Sequence, residues 1–210
     1  DLWNIAADLE QENQVFGLYA HTEWHLSDSL DLIAGLRYSY EDRTLEASLT
    51  DYWAHADSGV PVSSPIITPM GSVDNQRDES DVSGKLGLEW TVDEGLMVYG
   101  SISKGFKSHT AMGAPALDLR AYDFVAPETL WAGEIGFKST MLDDSLRLNG
   151  AFYSYDYQNV QSLGTDVVVG ADWFYNIEKV KISGGELDLW WVPVEGLDVR
   201  LGAAYSNTQI

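Results

Sequence analysis

Apolar and polar residues alternate with a period of two along most of this chain. In one stretch Leu30, Leu32, Ala34, Leu36, Tyr38 and Tyr40 fall on one face, with Asp31, Ile33, Gly35, Arg37, Ser39 and Glu41 on the other. A side-chain period of two is that of an extended strand, because successive Cβ atoms point to opposite sides of a sheet. The pattern recurs: Leu86, Leu88 and Trp90 oppose Lys85, Gly87 and Glu89. Trp131, Gly133, Ile135 and Phe137 oppose Glu128, Ala132, Glu134 and Lys138. Leu146, Leu148, Gly150 and Phe152 oppose Arg147, Asn149, Ala151 and Tyr153, and Leu197, Val199, Leu201, Ala203 and Tyr205 oppose Asp198, Arg200, Gly202, Ala204 and Ser206. The pattern predicts eight strands, near 14–25, 30–46, 81–92, 95–108, 128–141, 145–157, 176–192 and 196–207. No 3.6-residue stripe persists, so helices are not expected in these segments. Residues 1–12 are acidic and fit either a short helix or a loop.

The connections alternate in length. Leu26–Ser29, Val92–Gly95, Leu142–Ser145 and Pro193–Gly196 are short and rich in turn formers, whereas polar stretches near 47–80, 109–127 and 158–175 read as long loops. Short turns at one end and long loops at the other is the asymmetry of a transmembrane barrel. The charges agree with it. Asp31, Arg37, Lys85, Glu89, Glu134, Lys138, Arg147, Glu186, Asp188, Asp198 and Arg200 all share the face opposite the Leu, Val and Phe residues. In lipid a sheet must satisfy every backbone group, so it closes on itself with an apolar outside and, around a pore, a polar inside. Trp24, Tyr38, Tyr40, Trp90, Trp131, Trp191 and Tyr205 lie near strand ends, where amphipathic rings form girdles at the two membrane interfaces. Ordinary cross-strand packing in a sheet outside a membrane is the alternative for these rings. The fold class expected is therefore all-β, an antiparallel up-and-down transmembrane β-barrel.

Composition narrows the function classes. The chain has 210 residues and a net charge of −21, from 33 Asp and Glu against 12 Lys and Arg, so nucleic acid, which needs clustered cations, is not an expected partner. There is no cysteine, which removes disulfides and thiolate metal sites. No apolar run reaches the length of a membrane-spanning helix, which does not bear on strands. Any signal peptide is expected to have been removed or to lie outside this segment.

The segment Leu96-Met97-Val98-Tyr99-Gly100-Ser101-Ile102-Ser103-Lys104-Gly105-Phe106-Lys107-Ser108 resembles a strand of TonB-dependent outer-membrane receptors. Pro127 to Ser139, with Glu128, Glu134, Gly136 and Lys138, is similar to the family's next strand. Leu146–Tyr153 with Tyr155-Asp156-Tyr157 resembles the one after, and Val180–Leu189, with Gly184, Glu186 and Asp188, another. Upstream, Val15–Ala20 and Leu32–Tyr38 resemble two earlier strands in the same order, so the resemblance spans about 14–207. It implies an uptake receptor of the bacterial outer membrane, with a barrel of about 22 strands and a plug in its lumen. It further implies a small-molecule ligand such as a metal chelate, commonly a ferric siderophore, surrounding outer-membrane lipid, and energy from a TonB-ExbB-ExbD complex acting through the plug. No plug and no TonB-contacting box are recognisable, and Asn207-Thr208-Gln209-Ile210 falls where a loop is expected. Residues 1–210 are thus expected to be a partial barrel domain, about eight strands of a larger barrel, or a truncated relative. Eight strands could also close alone, with an interior nearly filled by side chains.

Candidate ligand contacts are the loop aromatics and histidine Tyr52, Trp53 and His55, and Trp173 and Tyr175. Such rings stack on ligands, and they also pack loops upon themselves. His21 and His25 share a strand face but are about 13 Å apart by strand rise, too far to hold one ion. No metal site and no cofactor are expected. Asp143-Asp144 and Asp93-Glu94 fit turn chemistry. Glu134, Glu186 and Asp188 are expected to pair with Lys138, Arg147 and Arg200 across the lumen, or to contact a plug. No nucleophile elbow, phosphate loop or catalytic triad pattern is present, so no catalytic residue is assigned and an enzyme is not expected. Two other functions stay open on the sequence: a passive porin-like or adhesive barrel, and a soluble carbohydrate-binding β-sandwich using the loop aromatics.

Overall fold

The computed structural model describes residues 2–54, 66–116, 118–166 and 171–210. They form one antiparallel sheet of eight strands in sequence order. The strands are β1 (Leu2–Ser27), β2 (Leu30–Ala54), β3 (Ile66–Asp93), β4 (Leu96–Lys107), β5 (Glu128–Met141), β6 (Leu146–Asp166), β7 (Ala171–Val194) and β8 (Leu197–Gln209). Among the described residues β1 and β8 do not pair, so the sheet is an arc of wall and not a closed small barrel. A single sheet also excludes the β-sandwich.

The register puts every charge assigned to the polar face where the alternation predicts. Leu32, Leu88, Gly100, Ile135, Phe152, Gly185 and Tyr205 lie in one cross-strand row of the apolar face. That face is uncovered by protein: Leu18, Leu36, Ile135, Phe152, Leu201 and Tyr205 are each more than half exposed. An apolar surface of this extent is the mark of a lipid-facing wall. From Leu30 to Tyr40 a strand tilted by about 40° climbs roughly 25 Å, the height of the apolar band of an outer-membrane barrel. Trp24, Trp90 and Trp191 mark its short-turn edge, and Phe16, Tyr40, Trp131 and Tyr205 lie toward the other.

The short turns are as predicted. Three carry small register shifts, at His25/Ser27, Thr91/Asp93 and Trp191/Val194. The fourth turns through three successive left-handed residues, Leu142, Asp143 and Asp144, at φ of 56°, 51° and 65°. The Ser145 N–H donates back to the Leu142 carbonyl at 3.1 Å and closes it. The acid pair sits there because Asp tolerates left-handed backbone better than most residues.

At the other end the structure departs from the expectation. Residues 2–12 are neither helix nor loop but the first half of β1. Much of the stretch 47–80 is strand, in β2 and β3, and residues 158–166 and 171–175 are the tips of β6 and β7, whereas the described residues of 108–127 stay irregular apart from a Thr110–Val125 bridge and a 3-10 turn at Leu119–Tyr122. The reason is a change of phase. Below Tyr40 the even-numbered residues of β1, β2 and β3 carry the apolar side chains, facing outward. Above it the even positions turn polar (Asp8, Glu10, Glu12; Asp42, Thr44, Glu46, Ser48; Asp74, Gln76, Asp78) and, past Gln11, Arg43 and Asn75, the odd ones turn apolar (Ala7, Leu9; Leu45, Ala47, Leu49; Val73). The ladder runs through without a slip between Val15↔Glu41 and Leu9↔Ala47. The strands have not rotated; their surroundings have, from lipid to water on the outside and from an open lumen to packed protein on the inside.

Candidate functional site

Two regions of the polar side could carry function: the concave wall within the membrane band and the head above it.

The wall is polar and aromatic. Tyr99, Glu134, Tyr153, Tyr155, Glu186, Asp188 and Trp190 line it together with Lys138, Arg147 and Arg200. The expected carboxylate–cation pairing is not found. Among the described residues Glu134, Glu186 and Asp188 form no ion pair. Glu134 Oε1 instead accepts from the Tyr99 hydroxyl at 2.8 Å. The Lys138 ammonium lies 5.8 Å from the centre of the Tyr99 ring, and the Arg147 guanidinium stacks 4.9 Å from the centre of Trp190. Arg200 binds Asp198 at 3.1 Å, and Trp190 donates its indole N–H to the same carboxylate at 2.7 Å. The cations take ring faces because inward rings stand on neighbouring strands, within about 6 Å, the reach of a cation–π contact. Tyr153 and Tyr155 stack, with centroids 5.0 Å apart.

The head has a core of its own. Leu45, Ala47 and Leu49 of β2 pack with Ala111, Ala116, Ala121 and Tyr122 of the segment joining β4 to β5. Leu45 and Tyr122 are wholly buried. The segment 108–127 is pinned from both flanks. On one side Arg43 Nη1 donates to the His109 carbonyl at 2.7 Å, and Asn75 Nδ2 to the Tyr122 carbonyl at 3.1 Å. His109 itself spans Glu79 Oε2 at 3.2 Å and the Val125 carbonyl oxygen at 2.9 Å. On the other side Gln161 Nε2 donates to the carbonyls of Ser108 and Ala126, and Asn176 exchanges hydrogen bonds with both backbone groups of Ala126. These side chains supply backbone partners that no sheet ladder provides. Asp118 caps the 3-10 turn through the Arg120 N–H at 2.9 Å and grips the Arg120 side chain at 2.6 Å. Those bonds hold its carboxyl below the usual carboxylate range.

The candidate ligand contacts divide. Trp173 packs against the head core, with the Arg120 guanidinium 5.6 Å from its ring centre. Tyr175 is exposed, and its ring lies over Gly164 of β6, where a Cβ would meet it at 2.9 Å. Tyr52 and Trp53 lie near the tip of β2, in register with Asn4 and Trp3 of β1 and with Ile67 and Ile66 of β3. His55 lies outside the described residues. Trp173 is thus joined to the segment 108–127, and Tyr52 and Trp53 share β2 with the head core. Arg43, Asn75, Gln161 and Asn176, which shape the mouth, escaped sequence reasoning because single polar side chains in polar stretches carry no periodic signal. His21 and His25 face Glu23 and Asp31. Among the described residues no three His, Asp or Glu side chains are placed to hold a metal ion.

The comparisons with known proteins follow this geometry. The family model "TonB dependent receptor-like, beta-barrel" matches residues 5–210. The pesticin receptor of Yersinia enterocolitica is 25% identical over 178 residues, 85% of this chain. Only 24% of that receptor is covered, so the chain spans about a quarter of the curated relative's length. The crystal structure of the ferric yersiniabactin uptake receptor from Yersinia pestis superposes with a TM-score of 0.74 at 15% identity, over 98% of this chain and 28% of that one. The copper transporter OprC superposes with a TM-score of 0.69 at 18% identity, over 94% and 29%. TonB-dependent receptors are outer-membrane transporters of Gram-negative bacteria and not enzymes. With the match running from residue 5 to the last residue, over an arc of antiparallel wall with a lipid-facing outside and a polar inside, this chain belongs to the family of TonB-dependent receptor β-barrels.

Proposed function

We propose that the chain forms part of the barrel wall of a receptor that imports a metal chelate, a ferric siderophore, across the outer membrane. Residues 1–210 are read as a partial barrel domain that works with a plug lying outside this segment, the plug being moved by the TonB-ExbB-ExbD complex. The observation that carries this reading is the ordered head. It packs a connecting segment against three strands at the mouth, directly above a polar, aromatic-lined inner wall. A passive pore has little use for a braced cluster of this kind, whereas a receptor needs a fixed surface to select a scarce ligand. Tyr52, Trp53, His55, Trp173 and Tyr175 are the proposed ligand contacts, their rings offering stacking faces to a chelate.

The test is iron-limited growth of a strain carrying the full-length protein, supplied with defined ferric siderophores, with TonB present or deleted. Growth that needs both TonB and the receptor, and that weakens when Trp173 and Tyr175 are changed to Ala, supports the reading. Uptake that persists without TonB supports a passive porin-like pore instead.

A further inference from the structure

The outer face of the wall carries a site that its uptake role does not use. Between β5 and β8 the apolar surface is interrupted by an open groove of about 780 Å³. It is lined by Phe137, Phe152 and Ala203, with Leu187 and Tyr205 beside them. The Phe152 ring lies across Gly185 and the Phe137 ring across Gly150, where a Cβ would meet them at 2.9 and 2.7 Å. These residues have the outward parity, so the groove opens to the membrane.

Chemistry changes in order up the strands from this groove. The row above Phe152↔Gly185 is Ser154↔Ser183, and the row above that is Asp156↔Lys181, continued by Trp131 and Lys104. Of the twelve Lys and Arg in the chain, those with outward parity in the strands are Lys104, Lys179 and Lys181, and all three stand at this upper rim. Lys104 is bound to Asp81 and Lys179 to Asp156. Lys181 is exposed and has no ion-pair partner among the described residues. On a chain with net charge −21, a cation set above an apolar groove is a local reversal of field.

We propose that this groove holds one acyl chain of an anionic, phosphate-bearing membrane lipid from the leaflet on the long-loop side. Lys181, beside the Lys179–Asp156 pair, takes the phosphate; the Ser154 and Ser183 hydroxyls lie at the level of the ester groups; the chain lies over the Phe137 and Phe152 rings and Ala203. Gly185 and Lys181 are four residues apart, about 13 Å of strand, which suits a headgroup held at the interface and a tail within the hydrocarbon. A second copy of the chain is disfavoured as occupant, because like net charges would meet along the heads.

The full-length protein, purified in mild detergent, is exchanged into nanodiscs of phosphatidylcholine with or without phosphatidylglycerol, and retained lipid is counted by native mass spectrometry. The expected result is one phosphatidylglycerol retained in preference to phosphatidylcholine. Lys181→Gln should lower that retention roughly fivefold, the effect of one Lys near an anionic surface, while Lys181→Arg preserves it. Ala203→Leu, which fills the groove and spares the lysines, should lower retention as well. Heat-modifiable migration shows that each variant is folded. Equal retention of the two lipids, retention unchanged in Lys181→Gln and Ala203→Leu, or a protein dimer in place of bound lipid would each overturn the proposal.

Discussion

The phenol ring of Tyr99 lies over Gly136, its direct partner on the adjacent strand: a Cβ built at 136 would stand 2.6 Å from the Tyr99 hydroxyl and 2.7 Å from the Gly150 carbonyl oxygen. The same arrangement brings Tyr153 over Gly184 on the inner face. Inward rings therefore lie flat on the wall, on positions where the neighbouring strand has no side chain.

Gly136→Ala should consequently destabilise the wall by about 1–3 kcal/mol, the usual effect of overpacking. Gly133→Ala should be close to neutral, since a Cβ there meets nothing within 4 Å. Urea titration of the protein in micelles, read by heat-modifiable migration, compares the two.

The head should loosen independently of the wall. Leu45→Ala removes a wholly buried side chain and should cost about 2–5 kcal/mol of local stability. Limited proteolysis should then cut within 108–127, while the membrane band still migrates as folded.

The two faces of β5 should respond oppositely to charge. Ile135→Lys places a cation in mid-band on the lipid face and should cost about 2–4 kcal/mol. Ala132→Lys, three residues away and on the inner face, should cost far less. The yield of refolding into lipid vesicles distinguishes them, and equal losses would contradict the assignment of faces.

The cap at Asp118 should be sensitive to acid. Its carboxyl titrates below the ordinary value of 3.8 because it binds the side chain and backbone N–H of Arg120. A lowered folded pKa adds stability that is complete above the unfolded value and is lost as the pH falls through the folded one. Wild type and Asp118→Asn should therefore differ in proteolysis of 108–127 at neutral pH and converge in strong acid.

Like charges meet across the outside of the head, where Glu10, Glu46 and Asp74 form one row over three strands. Directly opposed like charges destabilise a sheet, so Glu46→Gln should raise the stability of the head by a few tenths of a kcal/mol. The gain should fade in high salt.

The membrane band was legible in the sequence because one rule, apolar outward and polar inward, holds for all eleven charges assigned to its polar face, from Asp31 to Arg200, the outward Lys104, Asp156, Lys179 and Lys181 standing at its upper rim. The head was not, because the same alternation resumes there with the opposite parity. Across Tyr40-Glu41-Asp42-Arg43-Thr44 four polar residues run together, which read as the start of a loop when a fixed phase is assumed. The stretch 109–127 was rightly read as a loop, but its docking depends on long-range contacts, such as that of Arg43 with His109, 66 positions away, which no local pattern encodes. The lumenal pairing failed for a related reason: parity places charges on one face but does not say that rings stand nearer to the cations than the carboxylates do.

The unbroken ladder of β1, β2 and β3 has a mechanical meaning. Hydrogen bonds that run without a slip from the lipid band into the head couple the two as a single stiff plank, so a force on the wall is felt at the mouth with no hinge to absorb it. The segment 108–127 hangs from that plank by side-chain bonds and a small core alone. If the mouth yields to a passing ligand, the parts that give way are these tethers, and the planks stay fixed.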